Sequence, residues 1–264
     1  MADVLEAIVA GSRRSASDRA ASGRADVERA AASATPDGRA FAASLSPPGV
    51  RIIAECKRRS PSKGVLRREY DPVAIAQGYE SAGAAAISVL TEPSFFDGSL
   101  DHLRAVRAAV RVPLLRKDFI VNEFQIVEAR AAGADAVLLI VAALDDRALA
   151  SLMTSAEQHG LAALVEVHSA EEAKRAIDSG ATIVGVNSRD LRTLEVKPEV
   201  FDQAARLLPG GTISVAESGI SQPVEIRRLK AAGYRAFLMG ERFMTTPDPG
   251  AALRAFATAP ELGQ

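Results

Sequence analysis

Short apolar runs alternate with amphipathic stretches along most of the chain, from Arg51 onward. Eight of these runs have the length of strands and are apolar almost throughout: Ile52–Cys56, Ala86–Leu90, Pro113–Lys117, Ala136–Ile140, Ala163–Val167, Ile183–Asn187, Ile213–Ala216 and Ala236–Met239. Between them, apolar residues recur at helical spacing, as over Leu100–Val110, Asn122–Ala132, Asp145–His159, Ser169–Ser179 and Gln222–Ala232. Buried strands separated by helices are typical of a parallel sheet that is covered on both faces.

A weak internal repeat indicates how that sheet is arranged. A small residue and a glycine close four of the helical stretches, at Gly83, Gly133, Gly180 and Gly233. These glycines are suited to the C′ position of a helix, where a positive φ disfavours other residues. They lie about fifty residues apart, the length of two strand–helix units. Eight strands at this period predict a single (β/α)8 barrel, a TIM barrel, over residues 49–264.

The competing architecture is a doubly wound, Rossmann-like sheet. That fold predicts a G-x-G-x-x-G turn after the first strand, and the sequence holds neither this motif nor G-x-x-x-x-G-K-[ST]. The barrel is therefore the favoured prediction.

Residues 1–48 differ in composition from the rest and are rich in Ala, Arg, Ser and Asp. Val4, Leu5, Ile8 and Val9 recur at helical spacing and predict one amphipathic helix. The tract from 12 to 46 is polar and Ala-rich, and a Pro-Pro-Gly sequence then ends it. We expect an N-terminal helical extension over residues 1–48.

Composition and charge exclude several classes of protein. The 264 residues are 48% hydrophobic and 25% charged, which is typical of a globular protein, and the formal net charge of −1 gives no overall attraction for nucleic acid or an anionic membrane. The single cysteine, Cys56, excludes an intrachain disulfide or a multi-cysteine metal site, and three scattered histidines without an HExxH motif make a metal centre an unfavoured hypothesis. The longest apolar run has nine residues, and no signal-peptide pattern precedes it, so we expect a cytoplasmic protein.

Candidate chemistry lies at the carboxyl ends of the predicted strands, where this fold carries its active sites. Nearly every strand ends in charged, amide or hydroxyl residues: Glu55 and Lys57, Thr91 and Glu92, Arg116 to Asp118, Glu166 and His168, Asn187 to Asp190, Glu217 and Ser218, and Glu241. Unpaired charges are costly inside a strand of Ile, Val and Ala. A Lys–Glu pair closing the core would explain one such case, but a whole pole of polar strand ends predicts a functional site.

For three features near the strand ends, a structural role competes with a functional one. His168 precedes a capping-box pattern, so support of the next helix is favoured over catalysis, which stays open. Cys56 alternates out of phase with Glu55 and Lys57, so we expect it to pack against the outer helices. The Arg58-Arg59 pair is either a solvated charge run or a site of anion capture.

Phosphate is the anion that the pattern favours. Ser218-Gly219 and Gly240-Glu241 follow the last two predicted strands. In barrels of this kind, the loops after strands seven and eight offer backbone N–H groups to phosphate.

Five segments resemble the signature sequences of indole-3-glycerol-phosphate synthases. They are Ile53–Gly64 (IAECKRRSPSKG), Leu114–Ile120 (LLRKDFI), Leu164–His168 (LVEVH), Gly185–Leu191 (GVNSRDL) and Ala216–Ile220 (AESGI). The resemblance extends in order over residues 50–245, and residues 3–20 resemble the family's N-terminal helix. The tract near 20–46 shows no such resemblance. Membership of this family implies a (β/α)8 barrel of tryptophan biosynthesis, without a cofactor, that acts on a phosphorylated small molecule.

The resemblance also implies roles for individual residues. Lys117 would be the general acid, Glu166 the general base, and Lys57 the partner of the substrate carboxylate. Glu55 and Asn187 would position hydroxyls for further proton transfers. Glu217 would hold the catalytic ammonium or a substrate hydroxyl.

A second set of residues would hold the substrate. Phe96, Phe119 and Leu138 would wall the aromatic ring, Arg189 would stabilise the mouth, and the others would bind or flank the phosphate: Arg59, Ser60, Ser218, Gly219, Gly240 and Glu241. Crowding by Lys57 and Arg116 would lower the pKa of Lys117. We expect a monomer or weak homodimer, with no nucleic-acid or membrane partner.

Three alternative functions remain at this point. One is a phosphoribosyl isomerase of the same fold, which would leave the interior lysines and the SPSKG loop unexplained. Another uses Lys57 or Lys117 as a Schiff-base nucleophile. The third is a non-catalytic phosphate-binding module.

Overall fold

The computed structural model describes residues 4–258 and contains the predicted barrel. Eight parallel strands form it: β1 (Arg51–Cys56), β4 (Ala86–Leu90), β5 (Leu114–Lys117), β6 (Ala136–Ile140), β7 (Ala162–Val167), β8 (Ile183–Asn187), β9 (Ile213–Glu217) and β10 (Ala236–Met239). They close in the order β1-β10-β9-β8-β7-β6-β5-β4, so each strand pairs with its sequence neighbours and the last pairs with the first. Every strand begins and ends within one residue of its predicted run. Between β1 and β4 lies a small antiparallel hairpin of β2 (Arg59–Ser60) and β3 (Gly64–Val65).

Helices surround the strands and are bounded by local capping chemistry. They are α1 (Val4–Ser33), α2 (Gly38–Ser44), α3 (Pro72–Ser81), α4 (Pro93–Phe96), α5 (Leu100–Ala109), α6 (Glu123–Ala131), α7 (Asp146–Gln158), α8 (Ala170–Asp178), α9 (Glu199–Ala205), α10 (Pro223–Ala231), α11 (Glu241–Met244) and α12 (Pro249–Ala257). The side chains of Asn122 and Asp145 accept hydrogen bonds from first-turn N–H groups and fix where α6 and α7 begin. The four repeat glycines follow helix ends with φ between 83° and 102°, which confirms the predicted C′ role.

Alternation along the strands separates two apolar cores. Side chains on one side of each strand fill the lumen of the barrel, among them Ile53, Leu115 and Leu164. The opposite side packs beneath the helices, and Cys56 lies there fully buried, as predicted.

Arg116 also points to the outer side of its strand, and this corrects the expected crowding of Lys117. Its guanidinium donates to Asp118 Oδ2 at 2.8 Å and to the Gln125 carbonyl at 2.7 Å, and the residue is 1% exposed. Neighbouring residues of a strand face opposite ways, so Arg116 lies behind the barrel wall while Lys117 faces the lumen.

The N-terminal extension is helical, as predicted, and its first helix continues well beyond the apolar spacing at its start. Helix α1 continues for 30 residues through the Ala-rich tract, which has high helix propensity. It runs along α6, where Arg19 makes a bidentate ion pair with Glu128 at 2.6 and 2.8 Å. Its far end is held by Arg130, which donates to the carbonyls of Ala31 and Ala34.

Helix α2 closes the end of the barrel where the strands begin. Phe41 and Leu45 are fully buried in the lumen core. The Gly38 N–H donates to the Gly160 carbonyl at 3.0 Å, and a Cβ at residue 38 would stand 2.4 Å from the Ala162 nitrogen. Only glycine permits this close approach, so Gly38 determines where α2 packs against the barrel.

No helix within residues 4–258 combines the length and the apolar character needed to span a bilayer.

Candidate active site

A cavity of about 520 Å³ opens at the mouth of the barrel, where the strands end. The proposed site residues that line it are Glu55, Lys57, Ser60, Phe96, Lys117, Phe119, Leu138, Glu166, Asn187, Arg189, Glu217, Ser218, Gly219, Gly240 and Glu241. Val4 and Ile8 of α1 lie over the same cavity. The structure thus brings together residues from all eight barrel strands and the extension.

Two lysine–glutamate pairs form the floor of this cavity. Lys57 Nζ lies 2.6 Å from Glu55 Oε2, and Lys117 Nζ lies 3.3 Å from Glu166 Oε2. The two glutamates are at most 3% exposed, whereas both lysine side chains keep 16% exposure. The cations therefore face the open space and the carboxylates lie behind them.

The electrostatics of Lys117 differ from the sequence-based expectation. Burial alone would lower the pKa of its ammonium group, but the carboxylates of Glu166, Glu217 and Glu55 outweigh burial and raise the pKa. Lys117 is thus fully protonated at neutral pH, in the form that a general acid needs. The expected lowering was wrong because the carboxylates, and not Arg116, surround it.

Glu166 and Glu217 are neighbouring buried carboxyls with opposite behaviour. Burial opposes ionisation of Glu166, yet Lys117 and His168 outweigh it and hold the pKa of Glu166 below its ordinary range. For Glu217, burial and the charge of Glu166 together raise the pKa. Like charges this close oppose each other's ionisation, so the ionised form is favoured at Glu166 over Glu217.

An apolar wall stands beside the charged floor. The rings of Phe96 and Phe119 lie 6.3 Å apart, centroid to centroid, at an interplanar angle of 35°. Leu138 and Ile140 extend this wall from β6. A flat aromatic ligand fits such a surface.

The loops after β9 and β10 form a pole suited to an anion. Gly219 has a φ of 68°, and a Cβ there would come within 2.9 Å of Ser188 Oγ and of Val196 Cγ1. Ser60 faces this pole, and its hydroxyl accepts from the Lys63 N–H at 3.2 Å. Lys63 itself also lines the cavity.

Gly240 brings the same pole against Glu55. A Cβ at residue 240 would lie 2.8 Å from Glu55 Cβ, so only glycine leaves room for the carboxylate. Helix α11 begins at the next residue, Glu241, which also lines the cavity.

Arg59 is the one proposed residue that does not line the cavity. Its guanidinium lies 3.6 Å from Asp97 Oδ1 and is 44% exposed, while Arg58 binds the other oxygen of Asp97 at 2.9 Å. The pair therefore joins the β2–β3 hairpin to the loop after α4. Glu241 lines the mouth, but its carboxylate lies 3.4 Å from Arg189 Nη2 and cannot attract phosphate itself.

Two cationic residues were missed by the sequence reasoning. Lys63 and Arg242 both line the cavity near the proposed phosphate residues. Lys63 lies inside the SPSKG loop and Arg242 follows Gly240-Glu241. Their position next to predicted phosphate-binding residues was the feature of the sequence that could have identified them. His168 also contacts Glu166, at 3.2 Å, although its helix-capping neighbourhood favoured a structural role.

Within residues 4–258, no group of three or more His, Cys, Asp or Glu side chains is arranged to hold a metal ion.

Comparison with known proteins gives one consistent family. The family model "Indole-3-glycerol phosphate synthase" matches residues 5–256, including the tract near 20–46. The chain is 48% identical to the indole-3-glycerol phosphate synthase of Mycobacteroides abscessus, over 97% of this chain and 94% of the relative. It is 49% identical to the enzyme of that name from Mycolicibacterium smegmatis, over 98% and 95% of the two chains.

Solved structures support the fold alone. Thiamine phosphate pyrophosphorylase from Pyrococcus furiosus matches with a TM-score of 0.59 and 19% identity, over 79% of this chain and 93% of that one. The N-acetylmannosamine-6-phosphate 2-epimerase from Clostridium perfringens matches with a TM-score of 0.57 and 13% identity, over 73% and 86%.

Proposed function

The chain belongs to the indole-3-glycerol phosphate synthase family, and from that premise we propose how its cavity carries out the reaction. It is a carbon–carbon carboxy-lyase of tryptophan biosynthesis. The substrate is 1-(2-carboxyphenylamino)-1-deoxyribulose 5-phosphate, and the products are indole-3-glycerol phosphate, carbon dioxide and water. The substrate carboxylate leaves as carbon dioxide and one proton is taken up overall, so atoms and charge balance.

The Lys117–Glu166 ion pair, set between an aromatic wall and an anion pole, is the observation that carries the proposal. A substrate with an aromatic ring at one end and a phosphate at the other would span the cavity. Its ketone would then lie over the charged floor, where the proton transfers are needed.

Ring closure requires an acid at the ketone oxygen. As the aromatic carbon attacks the carbonyl carbon, the oxygen develops alkoxide character. Lys117 is protonated and faces the lumen, so it can give its proton to this oxygen. The alkoxide is a stronger base than an amine, so the raised pKa of Lys117 does not prevent the transfer.

Decarboxylation follows at the same ring carbon. Lys57 is part of the floor, and its side chain keeps 16% exposure. It would bind the substrate carboxylate before the carbon–carbon bond breaks. The electron pair of that bond then restores the aromatic ring.

Dehydration requires a base. The pKa of Glu166 is held low, so it is ionised and can remove the proton from the carbon next to nitrogen. The hydroxyl formed during ring closure, positioned by Glu55 and Asn187, takes up a proton as it leaves as water. Protonated Glu166 would return the proton that it removed, and Lys117 would regain its own from solvent, which is the one proton taken up overall. Glu217 also lines the cavity and would hold the catalytic ammonium or a substrate hydroxyl.

Substrate binding would use the remaining residues. The backbone at Gly219 and Gly240, the hydroxyls of Ser60 and Ser218, and the first N–H groups of α11 would hold the phosphate. Phe96, Phe119 and Leu138 would pack on the aromatic ring, and Arg189 would brace the mouth through Glu241. Proton transfers alone accomplish these steps, so the proposal requires no cofactor.

The chain organisation enters the proposal as well. Residues 1–48 would act as an extension that completes one catalytic barrel, 49–264, because α1 reaches the mouth and α2 closes the opposite end. We propose that the enzyme works in the cytoplasm as a monomer or weak homodimer.

One assay tests the function. The purified chain is mixed with the carboxyphenylamino-deoxyribulose phosphate, and the fluorescence of indole-3-glycerol phosphate is followed with time. We expect turnover by the wild-type chain and its loss in Lys117→Ala. Binding without product would favour the non-catalytic alternative, and borohydride trapping of substrate would favour the Schiff-base alternative.

A further inference from the structure

His168 lies at the edge of the charged floor and has no role in the proposed reaction steps. Its Nε2 atom lies 3.2 Å from Glu166 Oε1, on the side of the carboxylate away from Lys117, which approaches Oε2. The imidazole side chain is 9% exposed. Nε2 is buried, and no acceptor within residues 4–258 is well aligned with it. The Glu166 carboxylate, at 3.2 Å, is therefore the partner that the position of Nε2 offers.

The other ring nitrogen is anchored by the helix that follows. Glu172 Oε2 lies 3.2 Å from His168 Nδ1 and accepts the His168 backbone N–H at 2.8 Å. Ser169 completes the cap by accepting the Glu172 N–H at 3.2 Å. These hydrogen bonds at the start of α8 fix Glu172, and Glu172 fixes the plane of the imidazole ring.

A chain of three side chains therefore runs from the start of α8 to the catalytic floor. We propose that His168 is a positioning residue: anchored by Glu172, it orients the Glu166 carboxylate and keeps that carboxylate ionised for proton abstraction. This inference rests on the proposed function, because it takes Glu166 as the base.

The electrostatics agree with this geometry. Burial alone would lower the pKa of His168, but the Glu166 and Glu172 carboxylates raise it to about 9. The groups that face Glu166 are Lys117 from β5, Glu217 from β9 and His168 itself. The imidazolium lies between the Glu166 and Glu172 carboxylates, with one ring nitrogen 3.2 Å from an oxygen of each. Its loss would leave both carboxylates without this cation.

The two amide substitutions of His168 separate the contacts of the two ring nitrogens. His168→Gln places an NH2 group near the position of Nε2 and keeps a donor toward Glu166. His168→Asn places its amide near Nδ1, keeps the Glu172 anchor and loses the Glu166 contact. Neither carries a charge. His159→Asn is the matched control, because His159 ends helix α7 and binds the Ser155 carbonyl away from the cavity.

The measurement is the pH dependence of kcat for the wild type, the two His168 variants and the control. We expect His168→Asn to lose roughly 10- to 100-fold in kcat, the size of a small misplacement of a catalytic group, and His168→Gln to lose less. Removing the cation raises the pKa of Glu166, so the acidic limb of the profile should move to higher pH in both variants. His159→Asn should match the wild type.

Two results would overturn the proposal. One is a kcat near that of the wild type in both variants. The other is an equal loss at every pH with an unmoved acidic limb, which a purely structural histidine would give. Circular dichroism of each variant distinguishes these results from misfolding.

A second readout does not depend on turnover. The chain has three histidines, so their titrations can be assigned by NMR with the His159 and His168 variants. Glu166→Gln should lower the pKa of His168, since Glu166 raises it. An unchanged His168 titration overturns the contact, even if the wild type fails to turn over the substrate and the proposed function itself fails.

Discussion

The Oε1 atom of Glu217 occupies the space that a Cβ at Gly185 would need. The two residues lie on adjacent strands, β8 and β9, whose register pairs Gly185 with Val215 and Asn187 with Glu217. Both point into the lumen, so the missing side chain at 185 leaves the room in which Glu217 lies buried. A glycine within a barrel strand is thus explained by the carboxyl group of its neighbour.

Gly185→Ala tests this relationship. The added methyl group should push the Glu217 carboxyl toward Lys117 and Glu166, and kcat should fall by roughly 10- to 100-fold. Gly210→Ala is the control, because a Cβ there meets nothing within 4 Å. Steady-state kinetics and circular dichroism of both variants give the answer. Equal activity of the two variants would mean that Glu217 does not need its present position.

Gly219→Ala tests the phosphate pole. The new Cβ would approach Ser188 Oγ and Val196 Cγ1 at 2.9 Å and disturb the loop that we propose offers N–H groups to the phosphate. We expect KM to rise roughly tenfold or more, as for the loss of one hydrogen bond to a charged group at about 1.5–3 kcal/mol, with a smaller fall in kcat. Gly180→Ala controls for backbone strain, because Gly180 also has a positive φ, 83°, but has open space around it. A fall in kcat at constant KM would move the phosphate elsewhere.

The strands were predictable because the barrel imposes one simple pattern. Ala136–Ile140 and Ile183–Asn187 are apolar on both sides, since one side faces the lumen and the other the helices. Pairing is between neighbours in sequence, so the order of strands followed once the barrel was inferred. The polar residues at the strand ends then had to meet at one mouth.

The remaining features depend on contacts distant in sequence. The tract after Ser12 shows no strong apolar stripe, and only Glu128, more than a hundred residues away, explains where Arg19 docks. The pKa of Lys117 was mispredicted because Arg116 was counted as a neighbour, although strand alternation places it behind the wall. His168 lies two residues after Glu166, on the same side of the extended chain, and this spacing was the feature of the sequence that could have predicted their contact.

The buried ion pairs that fix α1 give a prediction about stability. Glu128 is 3% exposed and lies between Arg19, at 2.6 Å, and the fully buried Arg116, at 3.5 Å. Glu128→Ala leaves Arg116 without one of its two carboxylates and should reduce the free energy of unfolding by about 3–5 kcal/mol. Glu28→Ala removes one half of the exposed Arg24–Glu28 pair and should cost at most about 1 kcal/mol. Urea unfolding of both variants measures the difference, and equal losses would contradict the role given to Glu128.

The sharpest prediction separates the two lysines of the floor. Both are ammonium groups with 16% exposed side chains, and each is paired with a buried glutamate, so attraction for an anionic substrate should fall by a similar amount with either. Their chemistry differs. In the proposed mechanism Lys117 would give a proton in the ring-closing transition state, whereas Lys57 would hold a carboxylate that is already present in the ground state.

Lys117→Ala should therefore lower kcat at least about a hundredfold, the usual range for losing a general acid, with a modest change in KM. Lys57→Ala should show a larger share of its loss in KM, because it removes binding that is uniform between substrate and transition state. Steady-state kinetics with saturating substrate distinguish the two patterns, and circular dichroism confirms that both variants fold. A near-normal kcat in Lys117→Ala would show that the proton comes from another group, and Lys57, the other ammonium on the same floor, would be the first to test.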